Sequence, residues 1–366
     1  MFVPILILFF LILNILYWIL LLLGISSKRE SKTGGELLQP AISVVVCAHD
    51  EEKNLRQLIP KLLRQNYSAY EIIIVEDRSN DGTYDLLLDL TKQHSNLKMV
   101  RVVTKPEHIH GKKFAITLGI KAAKYEWILL TDADCEPHEN WISQMARQMT
   151  QSNQIVLGYS PYIRSKGILN SFIRFETQLT AIQMFGFAHL GRPYMGIGRN
   201  LAYRKNLFLD AKGFNNYLEV IGGDDDLFVN QHGGYVQVGT ALHSDASVYS
   251  IPKSSWSSYL TQKTRHLSVG KFYRVVDQVN IGVFALSGIL GLLLGFYSLF
   301  TDYWLWGLIL LFFRWTLMNW TFYELRKRTG EIAELWKIPL LDFIYVFYYL
   351  VTGLRALTAK KVRWKN

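Results

Sequence analysis

The chain has 366 residues, enough for one large domain with additional elements, and half of them are hydrophobic. The formal net charge of +10 would suit a nucleic-acid partner, but much of the Lys and Arg excess lies beside apolar segments. Anionic lipid headgroups explain that placement better, so nucleic acid is excluded as a partner. Cys47 and Cys135 fall in or beside predicted strands, which argues against a disulfide or a pair of metal ligands.

Four apolar runs account for much of the hydrophobic content. They extend over Phe2 to Gly24, Ile281 to Phe300, Tyr303 to Tyr323 and Ile338 to Leu357. The first three are predicted to be transmembrane helices, because an apolar helix of about 20 residues crosses a bilayer core. The fourth contains charged residues, and either a transmembrane or a re-entrant segment would fit it.

The runs divide the chain into seven predicted segments. In order, these are a transmembrane helix (1–25), a linker (26–41), a globular domain (42–250), an interfacial amphipathic segment (251–280), two transmembrane helices (281–323), a basic loop (324–337) and a hydrophobic segment with a basic tail (338–366). Basic residues follow the first and third runs, so the positive-inside rule predicts an external N-terminus and a cytoplasmic globular domain. We therefore expect a multi-pass protein of the cytoplasmic membrane.

Strand and helix patterns alternate along the first part of the globular domain. Apolar runs predict strands over 42–48, 72–75 and 127–131, and a further strand is predicted over 97–103, with helical patterns between them. This alternation predicts an α/β fold, with a mostly parallel sheet and flanking helices.

Two later segments mix aromatic, aliphatic and charged residues. They extend over 167–190 and 254–274, and they predict amphipathic helices that lie at the membrane interface. Ordinary helices packed on the sheet are the alternative.

Acidic side chains follow three of the predicted strands. Asp50 comes after the first strand, Asp77 follows the second, and Asp132 and Asp134 follow the fourth. Ligands of open parallel sheets bind beyond the carboxyl ends of the strands, so these carboxylates are expected to share one edge. Two carboxylates at positions i and i+2 can hold one Mg²⁺ or Mn²⁺ ion against a diphosphate. Asp132 and Asp134 are therefore predicted metal ligands.

Other residues near this edge suit a nucleotide. The Asp77 carboxylate could accept a hydrogen bond from a pyrimidine N3–H group. Lys112 opens a predicted helix, where backbone N–H groups and an ammonium charge suit a phosphate, although a solvated helix face would also explain a lysine there. Asp50, Asp77 and Lys112 are thus predicted to bind a nucleotide donor, together with Asp132 and Asp134.

Two motifs later in the chain suit transfer chemistry. Asp224 and Asp225 precede an apolar helix start, and one of them could act as a general base toward an acceptor hydroxyl. Gln262, Arg265 and His266 lie on the predicted amphipathic segment, where an arginine can neutralise a departing diphosphate. The glutamine and the histidine would then pack near the acceptor.

In their order along the chain, these motifs resemble membrane-type glycosyltransferase family 2, which has the GT-A fold. The resemblance extends over roughly residues 42 to 272 and includes His-Asp-Glu-Glu, Glu-Asp-Arg-Ser, Gly-Lys-Lys, Asp-Ala-Asp, Gly-Arg-Asn, Gly-Asp-Asp and Gln-x-x-Arg segments. The trailing hydrophobic segments are similar to those of ceramide-glucosyltransferase-like and polysaccharide-synthase-like members. The globular domain would then be a cytoplasmic GT-A catalytic domain.

The resemblance implies roles for the acidic residues. Asp77 would contact the nucleobase, and Asp134 with Asp132 would bind the metal ion. Asp225 would be the general base, with Asp224 as the alternative register, because three consecutive acids stand where the family has two.

The resemblance also implies roles for residues on the acceptor side. Gln262 and Arg265 would close over the donor, and Asn200 belongs to a segment that faces the acceptor in the family. His266 occupies the position of a family tryptophan that helps to form the acceptor site of processive synthases. That difference weakens the assignment to a polymer-making subtype.

The implied reaction is an inverting transfer from a nucleotide-diphosphate sugar, with a UDP-sugar as the expected donor and Mg²⁺ or Mn²⁺ as cofactor. The expected acceptor is a membrane-associated lipid or a lipid-linked glycan.

A processive polysaccharide synthase is an alternative. Three or four hydrophobic segments are few for a self-contained polysaccharide channel, but an envelope-assembly partner protein could complete such a channel. An inactive family member that serves as an assembly partner is another alternative. A receiver-like signalling module is too short to explain residues 190–272.

Overall fold

The computed structural model describes residues 2–27, 39–106 and 111–358. Most of the predicted linker 26–41, with the basic residues that follow the first apolar run, lies outside the described residues, as does the predicted basic tail after residue 358. The described part forms two units. We call them the sheet unit (39–106, 111–163 and 193–252) and the helical unit (2–27, 164–192 and 253–358).

Nine strands and twelve α-helices occur in the described residues. The strands are β1 Ile42–Ala48, β2 Tyr70–Asp77, β3 Leu97–Val102, β4 Trp127–Asp132, β5 Cys135–Pro137, β6 Asn153–Gly158, β7 Leu201–Arg204, β8 Gln237–Ala241 and β9 Val248–Ser250. The helices are α1 Phe2–Ser26, α2 Glu52–Leu63, α3 Thr83–Gln93, α4 Gly111–Ala122, α5 Trp141–Ala146, α6 Ile168–His189, α7 Lys205–Asp210, α8 Asp226–His232, α9 Trp256–Val269, α10 Val275–Ser298, α11 Trp304–Thr329 and α12 Ile338–Thr358.

The sheet unit is built on a seven-stranded sheet with the strand order β3-β2-β1-β4-β7-β6-β8. Strands β3, β2, β1 and β4 are parallel, whereas β7 runs antiparallel to both β4 and β6. The predicted mostly parallel α/β sheet is therefore confirmed. The sequence pattern did not predict β7, which is only four residues long.

The centre of the sheet is apolar on both faces. The valines of β1 and the isoleucines of β2 are buried, as expected for strands that have helices on either side. Helix α4 comes especially close at Gly119, where an added Cβ would lie 2.5 Å from Val45 Cγ1 and 2.9 Å from Val75 Cγ2. A larger residue at 119 would push α4 away from β1 and β2.

The strand register brings the acidic strand ends together. Cys47 of β1 pairs with Val75 of β2 on one side and with Asp132 of β4 on the other. Asp77 therefore ends β2 close to the level at which Asp132 ends β4, with the end of β1 between them. This edge is where parallel strands of an α/β sheet present their ligand-binding loops.

Helix α6 in the helical unit differs from its prediction. Nearly all of its side chains are buried, including charged ones. Arg174 donates to Glu331 at 3.2 Å, and Glu176 accepts from Lys263 at 2.5 Å and from the Tyr259 hydroxyl at 3.1 Å. Protein therefore covers nearly the whole helix, so α6 lacks the exposed apolar face expected of an amphipathic segment, and its position relative to the membrane stays a prediction. The same segment falls within the predicted domain 42–250 but groups with the helical unit.

Three helices of the described part are long and apolar enough to cross a membrane, judged by length and composition. They are Leu8–Ser26, Val275–Ser298 and Leu335–Ala356, with mean hydropathy of 2.7, 2.1 and 1.3. Helix α11, which the sequence predicts to span the membrane, is absent from this set. Its tryptophans, Arg314 and Asn319 lower its mean hydropathy.

A buried polar network joins the four long helices α1, α10, α11 and α12. Arg314 of α11 donates to Asn14 of α1 at 2.8 Å and forms a two-point ion pair with Asp342 of α12. Asn14 donates to Ser287 of α10 at 3.2 Å, and the Trp315 indole donates to Asp342 at 3.0 Å. The charges of Arg314 and Asp342, two of the charged residues within the apolar runs, thus neutralise one another.

Candidate active site

The acidic edge of the sheet begins at Asp77, the last residue of β2. One of its carboxylate oxygens accepts from Arg78 Nε at 2.8 Å, and the side chain is only 7% exposed. A Cβ added to Gly111 would lie 2.9 Å from the other oxygen, so glycine is required for α4 to start against this carboxylate. The structure thus places Asp77 beside the first turn of α4.

Asp50 fixes the turn after β1. Its backbone N–H donates to Ser79 Oγ at 3.1 Å, and its carboxylate accepts from the Asn80 N–H at 2.6 Å. Both Asp50 and Arg78 have positive φ angles, 55° and 56°, so the two loops bend sharply where they meet. Asp50 therefore links the loops that follow β1 and β2, and donor contact by this residue stays a prediction.

Lys112 joins two acidic clusters that are far apart in sequence. Its ammonium group donates to Asp132 at 2.9 Å and lies 3.4 Å from a carboxylate oxygen of Asp224. Burial alone would lower the pKa of Lys112, but the carboxylates of Asp132, Asp224 and Asp225 raise it well above the usual value. The structure shows Lys112 as a bridge between two carboxylates, and its predicted contact with a donor phosphate stays a prediction.

Asp225 is held by backbone N–H groups. It caps α8 by accepting from the Asp226 N–H at 2.8 Å, and its second oxygen accepts from the Gly198 N–H at 2.6 Å. Burial raises its pKa, as does the charge of Asp224, while Lys112 and the two hydrogen bonds act in the opposite direction. A carboxylate with a raised pKa is a stronger base than an ordinary aspartate.

Lys113 is a residue whose role the sequence does not reveal. Its side chain is 1% exposed, and its ammonium group donates to the Tyr217 carbonyl at 2.5 Å and the Val220 carbonyl at 2.7 Å. Burial lowers the pKa of Lys113 to about 8, although the nearby aspartates oppose this. The second lysine of Gly-Lys-Lys thus anchors the loop that leads to Asp224.

The structure uses Asn200 differently from its prediction. The side chain is fully buried, and its carbonyl oxygen accepts from the Trp141 indole at 2.9 Å. Its amide donates to the carbonyls of Tyr159 at 2.7 Å and Ala246 at 2.8 Å. Both amide N–H groups are occupied inside the protein, so Asn200 holds loops together instead of facing an acceptor.

The predicted motif Gln262, Arg265 and His266 lies on α9 of the helical unit. Arg265 Nη2 is 3.5 Å from His266 Nε2, and the Gln262 carbonyl oxygen is buried without a hydrogen-bond partner among the described residues. The roles of these three residues toward donor and acceptor stay predictions. The other predicted site residues, apart from Asn200, lie at the acidic edge of the sheet unit. They are Asp50, Asp77, Lys112, Asp132, Asp134, Asp224 and Asp225.

The donor set at this edge suits a divalent ion that shares its ligands with a substrate. Among the residues that the structure describes, no group of three or more His, Cys, Asp or Glu side chains could hold a metal ion. Asp134 is exposed, whereas the adjacent Cys135 is buried and burial raises its pKa to about 12. Mg²⁺ and Mn²⁺ favour such a site, because they accept one or two carboxylates completed by phosphate oxygens.

Curated relatives match parts of the chain. Glycosyltransferase AglE of Haloferax volcanii is 24% identical over 194 residues, 50% of this chain and 59% of that protein. Probable glycosyltransferase YdaM of Bacillus subtilis is 30% identical over 144 residues, 38% of this chain and 34% of that protein. Poly-β-1,6-N-acetyl-D-glucosamine synthase of Staphylococcus epidermidis is 33% identical over 93 residues, which are 25% of this chain and 21% of that protein. The chain therefore matches less than two thirds of the length of each.

A solved structure supports the fold over the whole chain. The mannosyltransferase PcManGT from Pyrobaculum calidifontis, in complex with GDP-Man and Mn²⁺, superposes with a TM-score of 0.63 at 14% identity. The match covers 98% of this chain and 99% of that one, and it agrees with the predicted GT-A fold.

Two family models also match the chain. The model for glycosyl transferase family 2 matches residues 43–208, and the model for glycosyl transferase family group 2 matches residues 127–355, more than half of the chain. Together with the acidic edge described above, these matches show that the chain belongs to glycosyl transferase family 2.

Proposed function

We propose that the protein is a metal-dependent, inverting glycosyltransferase that uses a nucleotide-diphosphate sugar, with a UDP-sugar as the expected donor. The observation that carries this proposal is the position of Lys112 between Asp132 and Asp224. The Lys112 ammonium group thus lies between Asp132, a proposed metal ligand, and Asp224, which is adjacent to the proposed base. Such an arrangement serves a donor diphosphate on one side and an acceptor hydroxyl on the other.

Asp132 and Asp134 would hold the Mg²⁺ or Mn²⁺ ion. A bound ion would supply positive charge to the diphosphate of the donor. Mn²⁺ in the PcManGT complex supports this assignment. Asp77, beside the start of α4, would accept a hydrogen bond from the nucleobase.

Asp225 would act as the base. Its carboxylate takes the proton of the acceptor hydroxyl while that oxygen forms a bond to the anomeric carbon. The bond from this carbon to the diphosphate breaks, and the nucleoside diphosphate leaves with the bonding electrons. Asp224 suits this role less well, because its charge is already engaged by Lys112.

The proposed acceptor is a membrane-associated lipid or a lipid-linked glycan. The three apolar helices of the helical unit support a membrane location. The proposed cytoplasmic position of the sheet unit rests on the basic residues that follow the first and third apolar runs of the sequence. Processive polysaccharide synthesis is the second candidate, because poly-β-1,6-N-acetyl-D-glucosamine synthase is among the relatives. Three candidate spans in the described part favour single transfer.

Product analysis tests the proposal. Detergent-solubilised protein is incubated with Mn²⁺, a panel of nucleotide sugars and extracted lipids, and the products are identified by mass spectrometry. A lipid that gains one sugar supports single transfer, whereas a polymer ladder supports the second candidate. Absence of both a glycosylated product and released nucleoside diphosphate, across the panel, would overturn the enzymatic proposal.

Asp134→Asn should abolish turnover and weaken the binding of donor, because one of the two proposed metal carboxylates is lost. The measurement is nucleoside diphosphate release together with Mn²⁺-dependent UDP binding. Asp210→Asn, at an exposed aspartate that ends α7, is the matched control and should behave as the wild type does. Full activity of Asp134→Asn in EDTA would contradict the metal assignment.

The proposed topology has a separate test. In intact cells, a cysteine introduced at Asp302, between α10 and α11, should react with an impermeant maleimide. A cysteine at Gln151 of the sheet unit, an exposed position, should react only after the cells are permeabilised. The reverse pattern would place the sheet unit outside.

A further inference from the structure

Arg199 lies in a short turn that is fixed on both sides. The turn is the 3₁₀ helix Gly198–Asn200. The Gly198 N–H donates to Asp225, and Asn200 is locked by its three buried hydrogen bonds. The backbone therefore presents the Arg199 side chain from a rigid support beside the proposed base.

The guanidinium group is also held in place. It lies over the Tyr162 ring, 4.5 Å from the centroid, and Nη2 donates to the Ser160 carbonyl at 3.2 Å. Tyr162 forms a β-bridge with Ser250, which pairs with Cys135, the residue after Asp134. This chain of contacts places the guanidinium group on the side of the predicted metal carboxylates.

The charges around Arg199 agree with this position. Burial acts to lower its pKa, but Tyr162, Cys135 and the carboxylates of Asp132 and Asp134 together raise it above the usual value. The side chain is therefore a cation within electrostatic range of both aspartates.

One donor of this guanidinium group has no acceptor. Nη1 is buried and has no hydrogen-bond partner among the described residues. A buried donor left unpaired costs free energy, and a guanidinium N–H group pairs best with an anionic oxygen such as that of a phosphate. A ligand oxygen between Arg199 and the aspartate pair would satisfy it.

We propose that Arg199 donates from Nη1 to an oxygen of the donor diphosphate and so stabilises the leaving group. This inference rests on the proposed function, because it requires a nucleotide-diphosphate sugar at the aspartate pair. It assigns to the sheet unit a cation for the diphosphate that is distinct from Arg265. Within the Gly-Arg-Asn segment, Arg199 is then the residue that contacts substrate, and Asn200 is the one that supports it.

Binding of UDP and GDP, compared with UMP and GMP, tests this contact. The affinities are measured by calorimetry in Mn²⁺ for the wild type, Arg199→Met and Arg199→Lys. Arg199→Met should reduce the preference for the diphosphate over the monophosphate by about ten- to a hundredfold, the range for a hydrogen bond to a charged group. Arg199→Lys should recover part of it, because the positive charge remains.

Arg204→Met is the matched control. Arg204 also stacks on an aromatic ring, at 5.0 Å from the Trp127 centroid, and donates to the carbonyls of Asn153 and Thr150. It pairs with the first residue of β4, at the opposite end of that strand from Asp132. Its loss should leave the preference for diphosphate unchanged, whatever it does to stability.

The outcomes separate the inference from the function on which it rests. An unchanged diphosphate preference in Arg199→Met, with nucleotide binding intact, overturns the contact and leaves the proposed function standing. A raised KM for acceptor with that preference unchanged also overturns it, in favour of an acceptor contact. If the wild type binds neither UDP nor GDP in Mn²⁺, the proposed UDP-sugar donor is overturned first.

Discussion

Asp225→Asn should lower kcat by about a hundredfold or more while donor affinity stays nearly unchanged, which is the scale expected when a general base is lost. Asparagine keeps one oxygen, which can accept from the Asp226 N–H and cap the helix, but the Gly198 N–H loses its acceptor, the second carboxylate oxygen. We therefore expect a loss of stability of about 1–3 kcal/mol in addition to the loss of proton transfer, and the fall in kcat is measured on folded protein. Steady-state kinetics, nucleotide titration and thermal unfolding measure the three quantities.

Asp224→Asn distinguishes the two possible registers of the base. The Asp224 charge helps to raise the pKa of Asp225, so its removal should lower that pKa. A base works only when deprotonated, and activity is lost as the pH falls through its pKa. The acid limb of the kcat profile should therefore move to lower pH in Asp224→Asn. If Asp224→Asn abolishes turnover and Asp225→Asn does not, the assignment of the base is wrong by one residue.

Arg314→Met should destabilise the helical unit by about 3–5 kcal/mol, the range for removing one partner of a buried ion pair. Arg314 and Asp342 are 2% and 4% exposed, so the remaining carboxylate would be left charged, buried and without its cation. The double variant Arg314→Met/Asp342→Leu should be more stable than the single one, because no unpaired charge remains. Unfolding of the detergent-solubilised protein by heat or denaturant measures both.

An exposed ion pair supplies the control. The side chains of Lys92 and Asp89 are 66% and 71% exposed, so Lys92→Met should change stability by no more than about 0.5 kcal/mol. An Arg314→Met variant as stable as Lys92→Met would show that the network does not hold the helices together. A double variant no more stable than Arg314→Met would contradict the role assigned to the unpaired charge.

The local sequence was sufficient to predict the parallel part of the sheet. The predicted strand 42–48 coincides with β1, and the strand predicted over 97–103 coincides with β3 within one residue. A strand buried on both faces, such as β1, has a continuous apolar run, and this signal does not depend on the rest of the chain. The middle of β3 is partly exposed, and its sequence accordingly includes Lys98 and Arg101. The gathering of Asp77 and Asp132 at one edge followed from parallel strand direction alone.

The pairing of charges was decided only by the tertiary structure. Lys112 forms an ion pair with Asp224, and Arg314 donates a hydrogen bond to Asn14, across long stretches of sequence that no local pattern connects. The local sequence around Lys112 therefore permitted three roles: a solvated lysine, a phosphate ligand or a bridge between two carboxylates.

Burial in the folded chain also decided which motif residues can meet a substrate. Asn200 and the charged side chains of helix α6 would suit an exposed surface, but partners elsewhere in the chain bind these polar groups and allow them to be buried. Arg199, next to Asn200 in the sequence, retains a buried Nη1 donor without an acceptor, because its guanidinium group contacts the Tyr162 ring and donates from Nη2 to the Ser160 carbonyl among the described residues. The sequence determined which chemical groups this protein carries at the sheet edge, and the packing around each group determined which of them stay available to a ligand.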